Sequence, residues 1–305
     1  MPEADDAVHV VGKTHRGQRR PRNEDALGYE LTEHGGIFVV ADGMGGHARG
    51  DLASKIAVET ILEHLKGKTP SPTEIANALA EANRRIYETA RAERAEGMGT
   101  TATVLVLDYP YALIGHVGDS RAYLFRDGQL TQLTQDHSWV ADRVREGLLR
   151  PEEARTHRWR NVITNALGTF PEVEVDLLGL KVKPGDLFLL TTDGLHAVLN
   201  DEAIARVLAS EPSVEEAVER LVELANAWGG PDNITALAVK AKEVKEAGEK
   251  PYAALVQDDQ PVYIRARSGD TSLALPKKRP RTLELLLLVA WIGLLVYLLI
   301  TSQRP

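Results

Sequence analysis

The feature of this sequence that most constrains its fold is a succession of short apolar runs separated by short polar connections. Runs of four to eight such residues bounded by turn residues are typical of β-strands. Four of them are consecutive: Thr101–Leu107, Tyr111–Val117, Arg121–Phe125 and Leu130–Leu133. The last two flank Asp127-Gly128, which favours a hairpin turn. Because strands joined by short turns pair antiparallel, the sequence predicts an antiparallel sheet.

Segments with helical periodicity occur before and after these strand candidates. Apolar residues recur at helical spacing over residues 58–65, 75–86 and 214–225, and Ser213 with Glu216 has the spacing of a capping box. The other strand candidates are Gly36–Ala41, Asp186–Leu190 and Ile234–Lys240. Helices with one apolar face pack on the outer faces of such sheets, so we predict a layered α+β body of about 240 residues.

The C-terminal part of the chain has a different composition. Lys242–Pro276 is mostly polar and interrupted by Pro and Gly, which is typical of a linker, although Tyr252–Val256 and Val262–Ile264 have the composition of a small hairpin. Leu283–Ile300 is an 18-residue run with Glu284 as its only charge. At about 1.5 Å per residue it spans ~27 Å, close to a bilayer core of ~30 Å. We expect a transmembrane helix here, and a buried core helix is the alternative.

Charged residues around this run predict its orientation. Lys277, Lys278, Arg279 and Arg281 precede it, whereas only Arg304 follows, so the preceding side is expected to be cytoplasmic. Residues 1–10 are acidic and lack a long apolar stretch, so no signal peptide is expected. We therefore predict a single-pass membrane protein with a cytoplasmic domain at 7–242, a linker with a basic collar at 243–282 and a membrane helix at 283–300.

Composition excludes several classes of function. The chain contains no cysteine. Disulfide scaffolds, thiolate zinc sites, iron–sulfur clusters and cysteine nucleophiles are therefore excluded. Residues 1–276 contain 31 basic and 43 acidic side chains and so carry a net charge of −12. That balance disfavours a nucleic-acid partner, which would require a basic surface.

Acidic residues recur beside glycine at the ends of the apolar runs. Asp42-Gly43 and Asp193-Gly194 each follow a strand candidate, and Asp232 precedes the last one. A single Asp-Gly is most often a turn. However, carboxylates at strand ends lie at a loop-lined edge, where sites usually form. Several carboxylates converging without His or Cys suit hard divalent ions such as Mg²⁺ or Mn²⁺.

Six short motifs follow one another along the chain: Gly17-x-x-Arg20-x-x-Asn23-Glu24-Asp25, Ala41-Asp42-Gly43-Met44-Gly45-Gly46, Gly99-Thr100-Thr101, Gly118-Asp119-Ser120-Arg121, Thr192-Asp193-Gly194 and Gly230-Pro231-Asp232-Asn233. In their residues and their order these motifs resemble the metal-dependent protein phosphatases of type 2C, the PPM family. The resemblance covers about residues 7–242, and the C-terminal arrangement is similar to that of some bacterial members. It implies a four-layer α-β-β-α sandwich of two mainly antiparallel sheets flanked by helices.

The resemblance implies a protein serine/threonine phosphatase that hydrolyses phosphoserine and phosphothreonine by attack of a water lying between two Mn²⁺ or Mg²⁺ ions. Asp42 would bridge the two ions, and the Gly43 carbonyl would complete one of the two sites. Glu24, Asp193 and Asp232 would hold the second ion, partly through water. Phosphomonoesters hydrolyse very slowly, and a two-metal site supplies both a nucleophile and charge neutralisation without any cysteine.

The resemblance also implies supporting roles and partners. Asp25 would orient ligands or water, Asp119 with Asp193 would form a weaker third metal site, and Arg20 would bind the substrate phosphate through its planar fork. The implied partners are phosphorylated proteins and membrane Ser/Thr kinases, and the catalytic domain is expected to be monomeric. The charged stretch Asp136–Asn161 would form a flap that affects substrate choice, with a solvated helix and loop as its alternative.

One position departs from the better-known eukaryotic pattern. Met44 stands where those members have a histidine that is proposed to protonate the leaving group, and methionine cannot donate a proton. We interpret His47, three residues later, as structural, and the identity of a general acid stays open. Two other functions also stay open at this point: a catalytically inactive relative that acts as a scaffold, and a hydrolase of small phosphoesters or nucleic acid.

Overall fold

The computed structural model describes residues 7–45, 49–244, 250, 256–257 and 260–267. Within these ranges the helices are α1 (Gly50–Leu65), α2 (Pro72–Ala92), α3 (Trp139–Arg145), α4 (Pro151–Thr156), α5 (Asp193–His196), α6 (Asp201–Ser210) and α7 (Val214–Ala227). The strands are β1 (Val8–His15), β2 (Asp25–Thr32), β3 (Gly35–Met44), β4 (Gly99–Thr100), β5 (Ala102–Asp108), β6 (Tyr111–Val117), β7 (Arg121–Arg126), β8 (Gln129–Gln132), β9 (Glu174–Lys181), β10 (Leu187–Thr191), β11 (Ile234–Ala241), β12 (Val256–Gln257) and β13 (Gln260–Arg267).

The strands form two antiparallel sheets. One has five strands in the order β1-β11-β10-β7-β8. The other has eight, in the order β12-β13-β9-β6-β5-β3-β2, with the short β4 paired to β3. Asp127 and Gly128 have φ values of 52° and 76°, so the β7–β8 hairpin turns through two left-handed residues, as its sequence predicts. The predicted antiparallel arrangement is confirmed.

The two sheets pack face to face through a shared apolar core. Along β11, Leu237 and Val239 lie in the cluster between the sheets, whereas Ala236 and Ala238 lie in the cluster beneath helices α5–α7. Because both faces of this strand are buried, its sequence is an almost continuous apolar run rather than an alternating one. Helices therefore cover the outer face of the five-stranded sheet.

Helices α1 and α2 cover the outer face of the other sheet. Gly115 of β6 shows how closely α2 approaches, because a Cβ atom there would lie 2.3 Å from Ile75 Cγ2 and 2.9 Å from Leu79 Cδ1. Only glycine leaves room for these two side chains. The order of layers is helices, sheet, sheet, helices, in agreement with the sandwich that the family resemblance implies.

The structure differs from the sequence interpretation in the C-terminal region. Residues 260–267, within the predicted linker 243–282, form β13, which pairs with β9 and with β12. Of the two hairpin segments that the sequence suggested, Val262–Ile264 lies within β13, whereas only Val256 of Tyr252–Val256 lies in a described strand. An ordered strand therefore lies inside the predicted linker and covers what would otherwise be the open edge of β9. The bounds of the linker stay a prediction. The predicted membrane segment, residues 283–300, lies outside the described residues. Among the described helices, none combines the length and the apolar character needed to cross a bilayer.

Candidate metal centre

Five aspartates from different elements converge where the two sheets meet. Asp25 of β2 lies directly opposite Asp42 of β3 in the strand register. Asp193 is the first residue of α5, directly after β10, Asp232 lies just before β11, and Asp119 lies in the turn between β6 and β7. Burial and the charges of the other members raise the pKa of Asp42, which places all five in one electrostatic cluster.

Asp25 has one carboxylate oxygen in use and one free. Its Oδ2 accepts hydrogen bonds from Thr235 Oγ1 at 2.6 Å and from Thr192 Oγ1 at 2.8 Å. Its Oδ1 is buried and has no hydrogen-bond partner. Burial raises the pKa of Asp25 to about 7, and the negative charge of Asp193 contributes in the same direction. A buried carboxylate oxygen without a hydrogen-bond partner is rare in folded proteins unless a water or an ion binds it.

The backbone of Asp42 is fixed on both sides by threonines. Its N–H donates to Thr101 Oγ1 at 2.9 Å, and its carbonyl accepts from Thr101 N–H at 2.9 Å and from Thr100 Oγ1 at 2.8 Å. The carboxylate is therefore held at the end of β3 by a rigid frame. Burial, followed by the charges of Asp25 and Asp193, raises the pKa of Asp42 well above its usual value.

Asp193 and Asp232 differ in the partners of their carboxylate oxygens. Asp193 Oδ1 is buried without a partner. Burial and the neighbouring Asp232 raise the pKa of Asp193 to about 6, although a hydrogen bond with Asp42 opposes that shift. Asp232 Oδ2 accepts from Arg20 Nη2 at 2.7 Å, and its Oδ1 accepts from Asn233 N–H at 2.8 Å. Arg20, with 46% of its side chain exposed, lies at the open rim of the cluster.

The loop that carries Arg20 and Glu24 is held by one side-chain amide. Asn233 Oδ1 accepts from Glu24 N–H at 2.8 Å, and Asn233 Nδ2 donates to the carbonyls of Arg16 and Arg22, both at 2.8 Å. Asn233 is 3% exposed. The family motif contains this asparagine, but sequence reasoning assigned it no role, because the residues that it binds are more than 200 positions away from it along the chain.

Gly43 marks a close approach of two backbones. A Cβ atom at this position would lie 2.1 Å from the Gly50 carbonyl oxygen and 2.5 Å from that of Glu24, so no other residue fits. The Gly43 N–H donates to the Glu24 carbonyl at 3.1 Å, and Ser54 Oγ donates to the same oxygen at 2.6 Å. Burial raises the pKa of Glu24, whereas Arg20 and a hydrogen bond from the Gly50 backbone lower it.

Asp119 completes the cluster on the side of the five-stranded sheet. It is 8% exposed, and burial, followed by the charges of Asp193 and Asp136, raises its pKa well above the usual value. His196 Nε2 lies 3.1 Å from the Asp119 carbonyl oxygen, which can only accept, so this nitrogen carries the hydrogen. Burial lowers the pKa of His196 to about 3, which keeps its ring neutral.

The donor set fits a hard divalent cation. Two buried oxygens, Asp25 Oδ1 and Asp193 Oδ1, lack hydrogen-bond partners. Burial and the neighbouring carboxylates raise the pKa values of both aspartates, and a cation beside them would favour their ionised forms. In the ranges that the structure describes, the side chains are not arranged so that any group of three or more His, Asp or Glu residues could hold a metal ion by itself. Mg²⁺ rarely requires such a group, since it usually keeps several waters and binds one or two carboxylates together with substrate phosphates.

The predicted flap contains α3 and α4. Trp139 stacks on His157 with ring centres 4.9 Å apart, and its edge meets Trp159 at 4.6 Å. Trp159 is 41% exposed. A role of this aromatic cluster in substrate choice stays a prediction. His47, interpreted from sequence as structural, lies outside the described residues.

Two facing antiparallel sheets covered by helices, with buried carboxylates where the sheets meet, define the class of the metal-dependent protein phosphatases. The family model described as protein phosphatase 2C matches residues 11–234. The chain belongs to the protein phosphatase 2C family.

Two curated relatives illustrate the similarity. The serine/threonine phosphatase stp of Listeria monocytogenes is 36% identical over 241 residues, which cover 76% of this chain and 96% of that protein. The serine/threonine protein phosphatase PstP of Mycobacterium tuberculosis is 38% identical over 274 residues, which cover 88% of this chain and 50% of that protein.

Solved structures give the same assignment. The crystal structure of the Mycobacterium tuberculosis phosphatase PstP superimposes with a TM-score of 0.72 and 37% identity, covering 78% of this chain and all of that one. The catalytic domain of PstP in complex with two manganese ions gives a TM-score of 0.70 and 36% identity, covering 78% and 99%.

Proposed function

We propose that this protein is a serine/threonine phosphatase that requires Mn²⁺ or Mg²⁺ and hydrolyses phosphoserine and phosphothreonine in proteins. The observation that carries the proposal is the set of buried carboxylates whose free oxygens and raised pKa values fit a cation site. The name of the stp relative and the two manganese ions bound to PstP support it.

We assign the metal ligands from the cluster. Asp42, whose backbone is fixed at the end of β3, would contact both ions, and the adjacent Gly43 carbonyl would join one site. Glu24, Asp193 and Asp232 would hold the second ion. When bound, the ions neutralise phosphoryl charge and lower the pKa of coordinated water from 15.7 toward ~7.

The remaining residues position the reactants. Arg20 lies at the rim with a guanidinium that is planar and partly exposed, and its fork matches two phosphate oxygens. Its hydrogen bond to Asp232 fixes the guanidinium beside the metal ligands. Asp25 has its Oδ2 tied to Thr192 and Thr235 and its Oδ1 free, so it orients a ligand or water on one side only.

The direct test is hydrolysis of a phosphothreonine peptide by the full chain. We expect turnover with added Mn²⁺ or Mg²⁺ and none in excess chelator. The matched pair of variants is Asp42→Asn, which removes a ligand charge, and Asp127→Asn, which changes an exposed aspartate in the β7–β8 turn. Loss of turnover only in Asp42→Asn supports the assignment, whereas full activity in chelator contradicts it.

The same assay discriminates the two rival functions. An inactive scaffold is disfavoured because Glu24, Asp42, Asp193 and Asp232 are all present and converge. A hydrolase of nucleic acid is disfavoured by the charge of −12 over residues 1–276, which have 31 basic and 43 acidic side chains. A substrate panel with single-stranded DNA and small sugar phosphates beside the peptide distinguishes these activities.

We further propose that residues 283–300 anchor the enzyme in a membrane, with the catalytic domain on the cytoplasmic side and membrane Ser/Thr kinases as opposing partners. The support is the apolar run and the basic residues that precede it. A membrane tether raises the effective concentration of enzyme near such kinases. Recovery of the full chain in the membrane fraction, and of a chain ending at residue 267 in the soluble fraction, tests the anchor.

A further inference from the structure

A chain of polar contacts, which begins at the half-exposed Arg265 and continues through buried groups, joins the C-terminal strand β13 to the turn that carries Asp119. Arg265 of β13, Asp176 of β9 and His116 of β6 are successive partners across three neighbouring strands. Arg265 Nε donates to Asp176 Oδ1 at 2.6 Å, and Arg265 Nη2 donates to Asp176 Oδ2 at 3.0 Å. This bidentate pair is the strong form of the carboxylate–guanidinium contact.

The next link is His137, which is 4% exposed. Its Nε2 lies 2.9 Å from Asp176 Oδ2, and its Nδ1 accepts from Gly118 N–H at 3.2 Å and from Asn165 Nδ2 at 3.0 Å. Because Nδ1 accepts from a backbone N–H, the hydrogen of the ring is on Nε2 and points to Asp176. The carboxylate of Asp176 therefore selects the tautomer that holds Gly118.

His137 binds the turn from both sides. Its own backbone N–H donates to the Gly118 carbonyl at 2.7 Å, so both polar groups of Gly118 are held by one residue. Gly118 has φ of +107°, and a Cβ atom there would lie 2.5 Å from Thr101 Cγ2. The turn therefore has little freedom, and Asp119 follows it directly.

Asp176 depends on β13 for its charge balance. Its side chain is only 12% exposed. Burial opposes ionisation, but His137 and Arg265 hold the pKa of Asp176 below its usual value. Without Arg265, a buried carboxylate would lose its cationic partner, which is a costly arrangement that neighbouring groups relieve by moving. Tyr263 gives β13 a second contact with this region, because its hydroxyl donates to the Leu133 carbonyl at 2.9 Å.

We propose that Arg265 is a positioning residue, which acts through Asp176 and His137 to fix the Gly118–Asp119 turn and so the Asp119 side of the metal centre. The inference rests on the proposed function for its metal, but the strand that carries Arg265 lies beyond the family match at residues 11–234. Strand β13, which lies C-terminal to the family match, would thus contribute to the position of a residue in the metal centre.

The test compares Arg265→Gln with Arg267→Gln in the full chain. Arg267 lies on the same strand but pairs with the more exposed Glu174. In metal-free protein we expect amide hydrogen exchange at residues 116–120 to be faster in Arg265→Gln, with exchange in β11 unchanged and Arg267→Gln equal to wild type. We also expect the weakest Mn²⁺ binding step, followed by calorimetry, to weaken about 10-fold, the lower end of the range for outer partners of metal ligands.

A double variant, Asp176→Asn with Arg265→Gln, tests the route. Asparagine retains an acceptor for His137 Nε2 without a charge, so exchange at residues 116–120 should return toward wild type. The inference is overturned if the double variant exchanges as fast as Arg265→Gln alone. It is equally overturned if Arg265→Gln leaves residues 116–120 unchanged, or if β11 accelerates to the same extent, which indicates general destabilisation.

If Arg265→Gln does not fold, Arg265→Lys replaces it, with the same comparisons and the same deciding outcomes. Lysine keeps the positive charge beside Asp176 but lacks the fork. The exchange measurement requires neither metal nor turnover. Absence of phosphatase activity in the wild type would therefore contradict the proposed function alone, while the exchange result would still decide the role of Arg265.

Discussion

Asp25 and Asp42 are direct partners in the register of β2 and β3, and both carboxylates are buried at the same end of the two strands. Like charges opposite each other destabilise a sheet. Here both residues are held in place, because Thr192 and Thr235 donate to the Asp25 carboxylate and Thr101 accepts from the Asp42 backbone N–H. The arrangement keeps acidic oxygens close together and thereby lowers the stability of the metal-free protein, a cost that is common at functional sites.

This relationship predicts opposite effects on stability and activity. Asp42→Asn should stabilise the metal-free protein by roughly 1–3 kcal/mol, the size of common single-residue effects, because it removes an acid whose ionisation is opposed by burial and by the neighbouring carboxylates. It should also abolish turnover, because it weakens the contact proposed for both ions. Thermal unfolding in chelator and peptide hydrolysis in Mn²⁺ measure the two effects. A variant that loses stability in chelator would show that repulsion does not dominate this site.

The pH dependence of metal binding follows from the raised pKa values. Burial raises the pKa of Asp25 to about 7 and that of Asp193 to about 6. A carboxyl group whose pKa is higher in the folded than in the unfolded state stabilises the metal-free fold at pH values below its unfolded-state pKa. That contribution is lost as the pH rises through 6 to 7, the folded-state pKa values of these two groups. Metal binding requires the ionised form and releases these protons.

The stabilisation by Mn²⁺ should therefore increase between about pH 5.5 and pH 7.5, the range that spans the two pKa values. The measurement is the difference in unfolding temperature with and without Mn²⁺ at each pH. Buried histidines such as His196 affect both forms of the protein, so they largely cancel in this difference. Calorimetry in two buffers of different ionisation enthalpy should show proton release at pH 6. A pH-independent difference would contradict the prediction.

The sequence predicted the inner strands and two carboxylates of the cluster for the same physical reason, whereas their role as metal ligands stays a prediction. Strands buried on both faces, such as β5, β6 and β11, have long apolar runs, and Asp42 and Asp193 are recognisable because each ends such a run. β1, β2 and β9 were missed. β2 is half-buried and interrupted by Gly28, Tyr29 and Glu30, so its pattern matched neither a buried nor a cleanly alternating strand.

Long-range polar contacts were beyond sequence reasoning. The threonines that hold Asp25 are separated from it by 167 and 210 positions, and nothing local to them indicates the pairing. The same holds for β13: its apolar residues Val262–Ile264 suggested a small hairpin, but nothing local to them indicated the pairing with β9 that places Arg265 beside Asp176. These contacts depend on how the sheets assemble, which local propensity does not encode.

Arg20 is expected to affect substrate binding more than metal binding. Arg20→Ala should lower kcat/KM for a phosphopeptide by about 10–100-fold, since a hydrogen bond to a charged group contributes ~1.5–3 kcal/mol and 1.4 kcal/mol corresponds to tenfold. Arg20→Lys should retain only part of the wild-type kcat/KM, because lysine lacks the planar fork of arginine. Arg19→Ala, which changes the exposed neighbour, is the matched control. Equal losses in Arg19→Ala and Arg20→Ala would exclude a specific role in phosphate binding.

Asn233 should be more important for the site than its neutral side chain suggests. Asn233→Ala leaves the Glu24 N–H and the Arg16 and Arg22 carbonyls without their partner. At ~1 kcal/mol for each hydrogen bond, we expect a loss of about 3 kcal/mol in unfolding free energy. The loop that carries Arg20 and Glu24 would also lose its anchor, so Mn²⁺ affinity and kcat/KM should both fall.

Two further variants separate this role from a general effect of losing an asparagine. Asn226→Ala is the matched control, since Asn226 contacts the same loop through Gln18 Nε2 at 3.2 Å but does not bind Glu24. Asn233→Asp keeps the acceptor for the Glu24 N–H, but it removes both donated hydrogen bonds and adds a charge near Asp232. We therefore expect its unfolding free energy and Mn²⁺ affinity to be almost as low as those of Asn233→Ala. Denaturant unfolding and Mn²⁺ titration measure these effects. Wild-type Mn²⁺ affinity in Asn233→Ala would show that the loop holds Glu24 in place without this amide.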